Sequence, residues 1–124
     1  MDELIKRIVE EIQESTKSWM EIEYARIRNR LTEDGEDGDI EEYSIDMYRD
    51  TDWEPAFEVW CAERSYVDAF RMCLNMIVEY FGYDDEKIND MLRSAVDSAK
   101  EKALDAVRNG KSEWLDDELR EGLE

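Results

Sequence analysis

Histidine is absent from this 124-residue chain, and there are only two cysteines, one proline and five glycines. Without histidine the commonest general base and the commonest metal ligand are missing. Cys61 and Cys73 lie on one expected helix, about 18 Å apart at a rise of about 1.5 Å per residue. A disulfide needs its Cα atoms within about 7 Å. Both are therefore expected as reduced thiols serving as small core residues. Nucleophilic catalysis by either would need a base, usually histidine. No phosphate-cradling glycine motif occurs. No apolar run of about 18 residues occurs either, so no span of a membrane is expected. The start, Met1-Asp2-Glu3-Leu4, lacks the basic and apolar stretches of a signal peptide, which leads to an expectation of a cytoplasmic protein.

Carboxylates are what the chain has in excess. Asp and Glu number 35 against 16 Lys and Arg, for a formal charge of −19. Apolar residues still make up 42 %. At this length that suits one helical domain, residues 1–124, with a real core.

The pattern predicts an all-α fold of four to five helices packed around a central apolar helix over 66–81. Ile5, Ile8, Val9, Ile12, Met20, Tyr24, Ile27 and Leu31 recur at helical spacing across 2–31. Ser15-Thr16-Lys17-Ser18 is the place for a break or kink. Thr32 to Asp39 reads as a loop. Residues 20–28 and 40–50 also alternate, so a short β-hairpin around 20–50 is the α+β alternative. Asp52 and Pro55 suit the start of the next helix. Tyr66 to Phe81 is apolar almost all round, apart from the stripe Asp68, Arg71, Asn75 and Glu79, extended by Arg64; such a helix is expected at the centre of a fold. Gly82 ends it. Asp84 or Asp85 caps a further helix to about Asn109, with Ile88, Met91, Leu92, Ala95, Ala99, Ala103 and Ala106 inward. Gly110 ends that one, and Ser112 caps a short final helix.

The charge is not evenly spread. Residues 1–32 carry seven acids and six bases, whereas 33–54 carry eleven acids and one arginine, a net −10 in 22 residues. The net charge is −2 over 55–81, −2 over 82–110 and −4 over 111–124. Solubility needs a magnitude of only about 2–8 in a small domain, and self-repulsion beyond that destabilises a compact state. A solvated acidic loop is the ordinary account of such a run. The arginines of the first helix, Arg26, Arg28 and Arg30, are placed to answer part of it.

A surface for a basic partner is the functional account, because focused negative potential speeds association with cationic sites. Carboxylates four apart on a helix lie about 6 Å from one another, near the spacing of neighbouring phosphates. By composition the chain resembles, as a class, the small acidic DNA mimics of phage antirestriction and anti-CRISPR systems. That resemblance implies a non-enzymatic inhibitor of a basic, nucleic-acid-binding protein, working in the host cytoplasm. No motif is matched residue by residue. The expected partner-binding residues come from the charge map: Glu33, Asp34, Glu36, Asp37, Asp39, Glu41, Glu42, Asp46, Asp50 and Asp52, with Trp53 as a flanking aromatic. Trp114, Asp116 and Asp117 form a second patch in the tail. Trp60 is expected in the core. Direct binding of nucleic acid is disfavoured by repulsion from phosphate. An immunity or antitoxin protein against a basic toxin is the alternative.

An enzyme with acidic metal ligands is the third class. Glu11-x-x-Glu14 with Glu36-x-x-Asp39 resembles the acidic pairs of helical nucleotide pyrophosphohydrolases, but 35 acids make such spacings common. A calcium loop over Glu33–Ser44 fails at its third position, Gly35, and its twelfth, Ser44. No catalytic residue, cofactor or metal ligand is assigned.

Overall fold

A computed structural model describes residues 2–35, 38–42 and 56–116. Among them are three α-helices and one short 3₁₀ turn, and no strand. Helix α1 spans Asp2–Glu33, α2 spans Ala56–Phe81 and α3 spans Asp85–Arg108. The 3₁₀ turn is Ile40–Glu42. The all-α class stands, but the expected count of four to five helices is not met.

Helix α1 is about 48 Å long at about 1.5 Å per residue. It is unbroken through Ser15–Ser18. Ser15 and Thr16 are buried, so tertiary packing covers the helix through its weakest stretch. The Thr16 hydroxyl has no hydrogen-bond partner among the described residues.

The other two helices pack on α1 and hardly on each other. Helix α3 runs parallel to α1. Gln13 Nε2 donates to Ser98 Oγ at 3.1 Å, and farther along Asn29 Nδ2 donates to the Trp114 carbonyl at 3.0 Å. Helix α2 runs antiparallel to α1. Trp60 Nε1 donates to Glu23 Oε1 at 3.1 Å, and Tyr83, just beyond the other end of α2, donates to Asp2 Oδ1 at 2.6 Å.

Two buried clusters follow from this layout. The first joins Ile5, Ile8, Val9 and Ile12 of α1 to Val67, Leu74 and Ile77 of α2 and to Ile88 and Ala95 of α3. The second joins Ala25, Ile27 and Leu31 of α1 to Ile40, to Leu104 and Val107 of α3, and to Leu115. Ala95, Ala99 and Ala103 are buried along α3, where their lack of bulk lets it lie close on α1.

The helix over 66–81 is therefore not central. Only Val67, Leu74 and Ile77 of α2 are buried, and α1 holds the middle instead. The apolar pattern of α2 is real, but it makes two faces, and α1 covers one. Cys61 is half-buried and Cys73 exposed, so neither thiol is the core residue expected. Trp60 is half-buried between Phe57, stacked at 5.8 Å between ring centroids, and Arg64, whose guanidinium lies 4.6 Å from the ring centroid. Arg64 also covers Trp19 of α1 at 5.3 Å, a cation–π clamp between the two helices.

The ends of the helices follow local chemistry. Gly82 and Gly110 take φ of +67° and +68°, the left-handed region that closes a helix. Lys111 N–H bonds Ala106 O and Gly110 N–H bonds Val107 O, the paired pattern of a Schellman cap. Asp84 accepts from the N–H groups of Glu86 and Lys87 at the start of α3. The Ser112 hydroxyl accepts from Trp114 N–H at 3.3 Å, but through Asp116 the chain forms turns and not the expected final helix. Residues 20–28, open to the strand alternative, are helical within α1. In the second ambiguous stretch, Ile40–Glu42 is the 3₁₀ turn and 43–50 lie outside the described residues.

Cutting Ile12 to Ala should cost about 2–5 kcal/mol, while Met72→Ala on the open side of α2 should stay within about 0.5 kcal/mol. Thr16→Val removes an unpartnered buried hydroxyl and should stabilise by about 1 kcal/mol. Chemical denaturation of each variant reads all three.

Candidate acidic interface

Each stretch of the acidic segment that the structure describes is tied to a helix. Glu33 ends α1 and Asp34 follows it; Arg30 reaches both, at 3.4 Å and 4.0 Å. Of the three arginines expected to answer the segment, Arg30 is seen to pair with its described part. Ile40 then drops into the second core cluster, 3 % exposed. This one apolar side chain in an acidic stretch fixes its neighbours Asp39, Glu41 and Glu42 on the surface around it.

There they meet α3. Arg108 Nη2 donates to both oxygens of Asp39, at 3.0 Å and 3.2 Å, and lies 3.8 Å from Glu41. Lys100 approaches Glu41 at 4.0 Å. The Arg108 hydrogen bond, reinforced by the Glu41 backbone N–H, holds the Asp39 carboxyl below its usual range and raises Arg108 in turn. The Tyr24 hydroxyl is pushed up by burial first, then by the charges of Glu23 and Glu41. Nothing in the sequence marks Lys100 and Arg108 as partners of residues some sixty to seventy positions earlier. The only signal is that both sit near the end of a helix whose apolar face is well defined.

Glu42 is exposed. Glu36, Asp37, Asp46, Asp50, Asp52, Trp53 and Asp117 lie outside the described residues. The tail patch is held by Asn29, which is buried on α1. Its amide donates to Trp114 O and accepts from Asp116 N–H at 2.9 Å. One side chain thus grips both ends of the turn. Trp114 packs part of its ring on the second cluster and leaves part in solvent, while Asp116 is exposed. Ile40 and Trp114 flank the same cluster, so Asp39–Glu42 and Trp114–Asp116 lie at one end of the molecule. The sequence separates them by more than seventy residues.

The carboxylates of α1 are partly answered within the helix. Arg7 pairs with Glu11 at 2.8 Å and Lys17 with Glu21 at 2.9 Å. Pairs of this i,i+4 kind are each worth only about 0.3–0.5 kcal/mol; the near-neutrality of residues 1–32 comes from their seven acids and six bases. Glu11 and Glu14 line a shallow groove between α1 and α2 with Glu63, Ser15, Ser18, Tyr66 and Phe70. Among the described residues no three Cys, Asp or Glu side chains converge as metal ligands. No described helix is long and apolar enough to cross a membrane. Compared with known protein families, curated proteins and solved structures, the chain matches none.

The Asp39 shift has a definite sign. A depressed folded value means that the Arg108 contact is fully present above the ordinary carboxylate range and is lost as pH falls through the lowered value. In a carboxyl-detected NMR titration Asp39 should turn below 3.8. Arg108→Gln should move it up toward the ordinary range, with the Glu41 N–H still holding part of the shift. An unchanged Asp39 titration in that variant would remove the pair as the cause.

Proposed function

We propose that this protein is a non-enzymatic acidic inhibitor. It binds a basic, nucleic-acid-binding site on a partner protein through residues 33–54, with Trp114, Asp116 and Asp117 as a second patch. The observation that carries the reading is the separation of charge. Net −10 lies in 22 residues while residues 1–32 are close to neutral. Solubility alone would distribute charge over every exposed face. Arg30 pairs with Glu33 and Asp34, and Arg108 and Lys100 pair with Asp39 and Glu41, four of the segment's eleven acids. Arg108 and Lys100 also hold Asp39 and Glu41 in place, which lowers the entropy lost when a partner engages them. The setting this suits is phage counter-defence, in the cytoplasm of a host, by a mimic of nucleic-acid charge that works as a local patch.

The second reading is an immunity or antitoxin protein facing one basic toxin. Trp114 is the observation in its favour, because a ring anchored on one side and open on the other suits a shape-specific contact. The two readings part on salt: charge-led binding collapses as salt rises, whereas aromatic anchoring is much less sensitive.

Affinity capture from a host lysate, washed at low and then high salt, should retain basic nucleic-acid-binding proteins at low salt only. The variant Glu36→Gln, Asp37→Asn, Asp39→Asn, Glu41→Gln, Glu42→Gln should weaken that capture about tenfold or more, equivalent to about 1.4 kcal/mol. Its unfolding midpoint, measured alongside, separates lost charge from lost fold. Full retention of the partner by the folded variant places the interface elsewhere.

A further inference from the structure

Helix α2 carries two apolar seams. One, through Val67, Phe70, Leu74 and Ile77, packs on α1. The other runs through Ala62, Tyr66, Ala69, Cys73, Met76 and Tyr80, alternating steps of four and three, which is the spacing of a coiled-coil seam. At about 100° per residue the second seam lies about a quarter-turn or more around the helix from the first. It is open. Tyr66 is 55 % exposed, Met72 at its margin 65 %, Met76 54 % and Tyr80 71 %. Ala62, Ala69 and Cys73 are exposed between them.

We propose that this face is the interface of a homodimer in which α2 packs antiparallel against α2 of a second copy, with the two-fold axis at Cys73. Three observations select that occupant. The first is charge. No residue of the seam is charged, although 41 % of the chain is; Glu79 stands at one edge and Glu63 beside Tyr66 at the other. A basic partner would find no carboxylate within the seam itself to pair with, while a second copy of this chain can meet it without placing carboxylates inside the contact.

The second is pattern. About Cys73 the seam is self-complementary. With the axis at Cys73, Tyr66 meets Tyr80 of the second copy and Cys73 meets Cys73, while small Ala69 lies within one residue, about 1.5 Å of rise, of large Met76. Each contact off the axis occurs twice and the Cys73 pair, on the axis, once, as a two-fold interface requires. A parallel pairing would instead set Ala69 against Ala69 and leave a gap, and would align the two helix dipoles.

The third is area. At about 200 Å² per large side chain, the four big residues with the small ones between them expose on the order of 600 Å². That is at the upper end of the largest apolar patch a monomer ordinarily leaves open. It also matches the roughly 600–800 Å² per partner that a specific interface buries.

Sedimentation velocity of the full chain, from micromolar to millimolar and at low and high salt, tests the pairing. The expected result is a dimer whose dissociation constant falls as salt screens the acidic surfaces. Met76→Glu, at an exposed position, should leave the unfolding midpoint of the monomer unchanged and weaken dimerisation at least tenfold. Asn75→Glu, one residue away on the polar stripe, should leave dimerisation alone. Diamide, a diazene oxidant that takes up the two thiol hydrogens, should link the wild type into a disulfide dimer through Cys73. Cys73→Ser should give none. A chain that stays monomeric at every concentration, a dimer indifferent to Met76→Glu, or a dimer that does not cross-link through Cys73 overturns the proposal.

Discussion

The packing of two helices on one long helix is the constraint on which the described structure depends. Helix α1 contributes most of the fully buried large side chains, among them Ile5, Ile12, Ile22, Ile27 and Leu31. Its apolar residues are distributed around more than one narrow stripe, so it can accept α3 along its whole length and α2 along part of it. A chain carrying −19 gains nothing from surface charge toward holding itself together. Burial along α1 must supply that stabilisation. The alanines of α3 matter because they let it approach α1 closely and so exclude water along the contact.

The same arrangement positions the acidic elements. Because α3 lies parallel to α1, its end arrives beside the end of α1. Arg108 and Lys100 thus stand over the chain that leaves α1, and the turn after α3 falls within reach of Asn29. Ile40 and Leu115 enter one cluster from two distant parts of the chain. The described carboxylates of the segment and the half-open Trp114 are gathered at that end by core packing and by Asn29. Electrostatics then refines the placement: the fork of Arg108 on Asp39 orders a carboxylate that solvent would otherwise leave free.

Much of this was legible from the residues. The three long helices, the glycine stops at Gly82 and Gly110, the aspartate cap before α3 and its alanine face all follow from periodicity and end chemistry, which are local. The uneven charge of the chain is likewise a matter of counting. The place of α2 was not legible. A helix apolar nearly all round satisfies the pattern for a central element, yet the same pattern arises when two separate seams face two different partners. Periodicity reports how much surface wants cover and is silent on who covers it.

The residues alone therefore determined the class of fold, the ends of the helices and the segregation of negative charge, because each depends on neighbours within a turn or two of chain. Tertiary structure decided that α1 is the spine, that α2 keeps one apolar face in solvent, and that Arg108, Lys100 and Asn29 hold the acidic turn and the tail. Those outcomes depend on which helix ends meet in space. That is fixed by the parallel docking of α3 on α1 through small side chains, a contact between positions some eighty-five residues apart.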